Sequence, residues 1–448
     1  MIDLETLART ARGPVIGPAD AAYDDTRRTF NAMLDHRPVV IVQPLDTADV
    51  SAAVRWAIDA DLPISVRCGG HSVAGHGVGN GSLMLDLARI RTVTVDPDSL
   101  VAEAGGGARL EDLDRATTAH GLAAPSGTYA DTGIGGIFLG GGINYLLGTR
   151  GFACDAVIGA ELVTADGSIV EVDAELEPEL LWALRGGGGN FGVVTRFRVA
   201  LAPLGPVFAG RMRFAGPRTR ELTEHLFELQ AAGPDELSLY GVLWRDDSLG
   251  GLMCTVFAAW TGEPERAESQ VASLRSRPDK IFDEFGPMSY LDLQLLGDRG
   301  GPSHREYGKA QFVDAITPGL IDAIEAAHER ISLGSAILME PIHGMAHRIP
   351  VESAAFGARD AMANISALAS WDDPADDEAQ IRWARESVAS WEPFSRRGGG
   401  YLNYASADET ARRVEGAFGA ERFARLRAVK RRCDPDNRFR FNANIPPA

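Results

Sequence analysis

The chain has 448 residues, with 44 lysines and arginines against 62 aspartates and glutamates, a formal charge of −18. That balance argues against nucleic acid and anionic membrane surfaces as partners, and 45% hydrophobic with 24% charged residues excludes bulk disorder. The anomaly is glycine, 50 residues without a Gly-X-Y period, which excludes collagen.

Residues 1–33 read as helical and capping. Pro38–Pro44 reads as a short strand, after which Asp46 or Thr47 caps a helix with Val50, Val54, Ala57 and Ile58 on one face. Ile64–Arg67 is a strand running into a glycine cluster. Leu83–Leu87 and Thr92–Val95 are further strands, and Leu110–His120 is a helix. Val157–Thr164 and Ser168–Val172 are joined by an Ala-Asp-Gly turn. A helix at Pro178–Leu184 leads through another glycine cluster into a strand at Val193–Val199. The lobe ends near residue 203, and the composition changes between Pro203 and Pro206. Beyond it, Leu237–Trp244 and Leu252–Trp260 read as paired strands. Helices are expected at Glu221–Ala232, Leu320–Ile331 and Glu378–Trp391. Gly398–Gly400 marks another joint. The expected domains are 1–205 (core about 35–203), 206–398, and a segment 399–448 that returns to the first lobe.

Of the 50 glycines, 28 fall in the first 200 residues, and 19 of those lie in three groups: Gly69–Gly81, Gly127–Gly148 and Gly186–Gly192. Clustered glycine in a globular chain lets backbone approach a large ligand, commonly one with phosphates. A G-x-G-x-x-G match at Gly187, Gly189 and Gly192 is preceded by a helix and followed by a strand. That is the reverse of the dinucleotide fingerprint, so a Rossmann turn is set aside. No P-loop occurs. Gly70-His-Ser-Val-Ala74 is a near miss to the nucleophile elbow of serine hydrolases, with Ser72 as its nucleophile, but Ala74 replaces the last glycine and no helix follows. His343 and His347 lie four apart among Pro341, Gly344 and Pro350, a poor setting for a helical metal pair, and no metal is expected. Cys68, Cys154, Cys254 and Cys433 are dispersed without a C-x-x-C, which fits a reducing compartment. With neither a signal-like start nor a long apolar run, a cytoplasmic protein away from membranes is expected.

RCGGHSVAGHG at Arg67–Gly77 resembles the R-x-G-G-H-S loop of covalent flavoproteins in the vanillyl-alcohol-oxidase superfamily, in its berberine-bridge-enzyme-like branch. Four further blocks are similar to that family in the right order. They are GTYADTGIGG at Gly127–Gly136 with Gly140–Gly142, LWALRGGGGNFGVV at Leu181–Val194, YLNY at Tyr401–Tyr404, and the C-terminal run from Arg425 through Lys430 and Asp434–Phe439 to Asn442. The resemblance implies an α+β protein. A two-part FAD-binding domain of the PCMH type would be joined to a substrate domain with an antiparallel sheet and helices.

It further implies FAD linked through its 8α carbon to His71. The pyrophosphate and ring would be held by Arg67, Cys68, Gly69, Gly70, Ser72, Val73, Gly75, His76, Gly127, Thr132, Gly133, Gly135, Gly136, Gly141, Gly142, Gly192, Val194 and Asn442. Many members carry a second, cysteinyl link where this chain has Tyr129, so a single link is expected. Asn144 stands where the pattern continues with glycine, and its side chain would touch the cofactor or narrow the pocket.

Hydride removal by a flavin needs a base near the ring. Tyr404 is the residue that the Y-x-N-Y match offers, although a phenol needs a neighbouring positive charge or donor to act as one. Asn403 would bind substrate or hold a flavin edge. Tyr290, Gln294, Lys309, Glu340 and His343 are the substrate candidates of the second lobe. The expected protein is an FAD-dependent oxidase of a small alcohol, amine or natural product, with O2 as acceptor, as a monomer or homodimer. The alternatives are a flavoprotein that binds or redox-cycles a toxic small molecule as a resistance factor, and a serine hydrolase using Ser72.

Overall fold

The computed structural model describes residues 4–216, 219–297 and 303–448. Its first half holds two sheets with a helix between them. In the four-stranded sheet, Leu83–Asp86 lies parallel to both Val40–Val42 and Ile64–Arg67, and Val15–Ile16 runs antiparallel on the edge. The helix Thr47–Asp59 starts where the Asp46 side chain accepts from the Asp49 amide, the bond expected of an N-cap aspartate. It buries Val50, Val54 and Ala57 against this sheet and against Val163 and Val193 of the next.

That second sheet is antiparallel and five-stranded, in the order Val93–Asp96, Val101–Gly105, Val193–Ala200, Val157–Val163, Ile169–Asp173. The first and third glycine clusters therefore sit at defined strand ends: one leaves Ile64–Arg67, the other enters Val193–Ala200.

The chain start is less regular than expected. Only Leu4–Thr10 and Tyr23–Thr26 are helical, and between them Val15 and Ile16 pair with Val42 and Ile41. Gly13, Pro14, Gly17 and Pro18 interrupt any longer helix. Residues 1–3 of that stretch lie outside the described residues.

The second lobe is one antiparallel sheet of eight strands, centred on Leu237–Asp246, Gly251–Trp260, Ala336–Pro341, Ala363–Trp371 and Arg305–Val313. Helices Thr219–Ala232, Ala267–Arg275, Pro318–His328 and Asp377–Trp391 cover one face. Leu226, Val271, Ile324 and Trp391 meet Leu239, Leu243, Ile337, Met339 and Ile365 there in one buried cluster. Alternation along the strands turns the other residues of each strand to the opposite face, which looks toward the glycine loops.

The helices Ala411–Phe418 and Ala420–Cys433 return to the first lobe, where Val414, Phe418, Leu426 and Val429 join its core. Buried Lys430 fastens this return: its ammonium donates to Asn190 O (2.8 Å), Phe439 O (2.9 Å) and Asp434 Oδ2 (2.6 Å). Among the described residues no helix is long and apolar enough to cross a membrane.

Candidate active site

The glycine loops and the uncovered sheet face enclose a cavity of about 940 Å³, at the upper end of the usual range for ligand sites. Arg67–Val73 and His76 line it from the first loop, Thr132, Gly133, Gly135 and Gly136 from the second, and Gly186–Gly189, Gly192 and Val194 from the third. Asn403, Tyr404 and Asn442 close it from the C-terminal segment.

Two of these loops meet backbone to backbone at a pair of glycines. A Cβ on Gly69 would lie 2.3 Å from Gly133 N, and one on Gly133 would lie 2.2 Å from Gly69 N. Neither position accepts any other residue without the loops parting. Asn442 donates to Phe439 O, while its buried Oδ1 is without a protein partner and is available to a ligand donor. A deep cavity walled by main chain, with a free buried acceptor at its edge, fits a dinucleotide such as FAD.

Five residues expected at the cofactor have other work. Gly141 and Gly142 adopt positive φ, and Cβ atoms there would strike Phe356 and Ala153. Their role is to pack the loop, and the Gly142 amide donates to Tyr401 Oη at 2.9 Å. Fully buried Asn144 donates to Gly142 O and Gly151 O and accepts from the Leu146 amide, so it ties the same loop and does not reach the cavity. Gly127 lies against Leu110, and Gly75 against Leu34 and His36.

Ser72 lines the cavity, and its hydroxyl accepts from the His76 amide at 3.3 Å, closing the turn. His71 engages Asp131 instead, Nε2 to Oδ2 at 3.1 Å, and Phe30 stacks on its ring with centroids 5.1 Å apart. Against the opposing pull of partial burial, the His71 hydrogen bond and charge hold the Asp131 carboxyl below its ordinary range. Burial pushes the Cys68 thiol up to about 11 and His76 down to about 4, so both line the cavity uncharged at neutral pH.

At the substrate side, Tyr404 donates its hydroxyl to Glu340 Oε1 (2.9 Å), and Asn364 donates to Glu340 Oε2 (2.6 Å). Glu340 stands two residues along the strand from the cavity-lining Leu338 and shares its face. Burial raises its carboxyl to about 7 despite both hydrogen bonds. The same burial, with the Glu340 charge, pushes the Tyr404 phenol well above its usual value. Tyr404 therefore faces a carboxylate where a lone phenolate base would need a cation. Asn403 lines the cavity and donates to Tyr401 Oη at 2.8 Å.

Glu340 itself reaches the cavity only through Tyr404, and the other substrate candidates do not line it either. Lys309 is on the opposite face of Arg305–Val313 from Glu306 and bonds Glu409 at 3.1 Å. Tyr290 and Gln294 form a buried polar link to the first lobe, Gln294 donating to Ser126 Oγ at 3.0 Å and to Tyr290 Oη at 3.2 Å. His343 is packed on Gly148, and burial lowers it to about 4.

Trp244, Glu306, Leu333, Leu338, Leu368 and Trp371 form the wall in their place. They come from four strands and the turn at Leu333, with only Leu368 and Trp371 sharing a strand, so no sequence spacing announces them. Asp131 went unread although it lies inside the second glycine block.

Known proteins bear on this geometry. A family model described as "FAD binding domain" matches residues 38–173, and one described as "Berberine and berberine like" matches 400–446. The (R)-6-hydroxynicotine oxidase of Paenarthrobacter nicotinovorans is 32% identical over 468 residues, covering 97% of each chain. The glucooligosaccharide oxidase of Sarocladium strictum is 42% identical over 182 residues, 39% of this chain and 36% of that protein. The crystal structure of 6-hydroxy-D-nicotine oxidase from Arthrobacter nicotinovorans superposes with a TM-score of 0.90 at 29% identity over 98% of each chain. The berberine bridge enzyme of Eschscholzia californica shares the fold, with a TM-score of 0.88 at 21% identity over 99% of each chain. With its glycine-walled cavity and full-length relatives, the chain belongs to the berberine-bridge-enzyme-like family of FAD-linked oxidoreductases.

Proposed function

We propose that the protein is an oxidase of a small, largely apolar amine, with FAD held covalently by His71 and O2 as the final acceptor. FAD, when bound, supplies the hydride acceptor. The observation that carries the reading is the hydrogen bond from Tyr404, which lines the cavity, to Glu340 behind it. A substrate N–H or O–H facing Tyr404 passes its proton to the phenol oxygen as the phenol proton moves to Glu340. A carboxyl near 7 is a serviceable acceptor at neutral pH, which an isolated phenol is not.

The amine assignment rests on the wall. Trp244 and Trp371 offer aromatic faces, Leu333, Leu338 and Leu368 offer apolar surface, and buried Glu306, which accepts from Ser370 Oγ at 3.0 Å, adds a carboxyl group among them. Aromatic faces and a carboxyl group together favour a cationic nitrogen over a polyhydroxylated sugar. The name of the 32%-identical nicotine oxidase points to the same class.

The test is anaerobic bleaching of the bound flavin by panels of secondary amines, simple alcohols and oligosaccharides. Amines are expected to bleach it fastest. Faster bleaching by oligosaccharides, or none by any amine, refutes the substrate class. Acid precipitation checks the linkage: wild-type pellets stay yellow, and Asn or Ala at His71 should leave them colourless.

A further inference from the structure

His71 does not stand alone, and its partner has no place in the oxidation just described. Asp131 reaches it from the second glycine loop, Oδ2 to Nε2 at 3.1 Å. Phe30, from the chain's start, stacks on the ring at an interplanar angle of 22°. The ring is thus fixed by a face contact and an edge contact, and all three residues contribute to the cavity wall. Arg109 adds its positive charge to those that keep Asp131 ionised. A carboxylate can only accept, so Nε2 carries the hydrogen, and in the neutral ring Nδ1 then carries the lone pair.

We propose that Asp131 is the positioning residue for self-catalysed attachment of the flavin, a reading that rests on His71 being the attachment point. In this step a bond forms between Nδ1 and the 8α carbon. One 8α C–H bond breaks, its proton leaves to solvent, and its electron pair enters the flavin ring system. The imidazole becomes positively charged as its lone pair is shared, the Asp131 carboxylate stabilises that charge while staying ionised, and the Nε2 proton then leaves to solvent. Two protons and two electrons have then left the histidine–methyl pair. Dioxygen, the acceptor proposed for the oxidase itself, removes the electrons with two protons as hydrogen peroxide and restores the oxidised ring. The carboxylate acts as the aspartate of a hydrolase triad acts on its histidine, fixing the tautomer and carrying the charge.

Asp131 is about two-fifths exposed at its side chain, so its replacement spares the core and the site admits a small anion. The experiment uses full-length protein purified from flavin-limited cells, mixed with FAD in air. Attached flavin is followed as fluorescence in acid-denatured bands, and bound but unattached FAD by absorbance after gel filtration. Asp131→Ala should slow attachment on the order of 100-fold while FAD still binds and the melting temperature holds. Added formate should speed the variant and leave wild type unchanged, a response that a purely structural role does not give.

Attachment by Asp131→Ala at the wild-type rate, with none in His71→Ala, overturns the proposal and leaves the linkage reading standing. Attachment persisting in His71→Ala overturns both. Loss of FAD binding in Asp131→Ala, or failure of formate to help it, also overturns the proposal, because the residue would then be building the pocket.

Discussion

Replacing Glu340 by glutamine separates the carboxylate's chemical role from its structural one. Burial lifts this carboxyl from the ordinary 4.5 to about 7. At roughly 1.4 kcal/mol per tenfold, keeping Glu340 ionised in the folded state costs about 3 kcal/mol. The folded-state value is raised, so the unfolded chain gives up the proton first. Between about pH 4.5 and 7 the unfolded state holds fewer protons and stability falls as pH rises. The contribution is fully present below the unfolded value and is lost above the folded one.

Glutamine mimics the protonated acid and escapes this loss. Its amide can be accommodated: Asn364 Oδ1 has no partner, and rotating the Asn364 amide presents that oxygen to the new donor and to the Ser366 hydroxyl. Urea unfolding should find wild type and Glu340→Gln alike near about pH 4. The variant should gain up to about 3 kcal/mol by about pH 8. Flavin reduction by substrate should fall about 100-fold or more and lose its rise through about pH 7. A stability difference that stays flat across that range, or an unimpaired reduction rate, refutes the reasoning.

Tyr404→Phe removes the first acceptor of the substrate proton but keeps the ring. Flavin reduction should slow by roughly 10²-fold while flavin content holds, and stopped-flow absorbance reads both. Gly69→Ala places a methyl 2.3 Å from Gly133 N, so the variant should lose about 1–3 kcal/mol and much of its flavin, seen in the ratio of visible to ultraviolet absorbance. Lys430→Met strands the fully buried Asp434 carboxylate. Thermal unfolding should register about 3–5 kcal/mol of destabilisation, whereas a smaller loss in the double variant with Asp434→Asn would locate the cost in the unpaired charge.

The cofactor side of the site was legible because its requirement is written in main chain. Where backbone must touch backbone, as Gly69 does Gly133, only one residue type serves, and the clusters show it without a structure. The same argument misplaced Gly141 and Gly142, whose missing side chains make room for Phe356 and Ala153. A glycine reports a close approach and does not say to what. The helix before Gly186 and the strand after Gly192 are present as expected, which is why the formal dinucleotide match carries no Rossmann turn.

The substrate side resists reading for a different reason. Its wall is drawn from a turn and several strands whose pairing is set by the whole sheet, and a shift of one position turns a strand side chain to the other face. Lys309 and Glu306 differ by that parity, and only Glu306 borders the cavity. Glu340 meets Tyr404 across 64 positions of sequence, and Asp131 meets His71 across the contact between two glycine loops. In the proposed function these two pairings carry the chemistry that the FAD-binding scaffold alone does not supply. The His71–Asp131 pairing follows from how close Gly69 and Gly133 allow the loops to come, whereas the Tyr404–Glu340 pairing depends on the register of the second-lobe sheet, so the glycines bring together only one of the two.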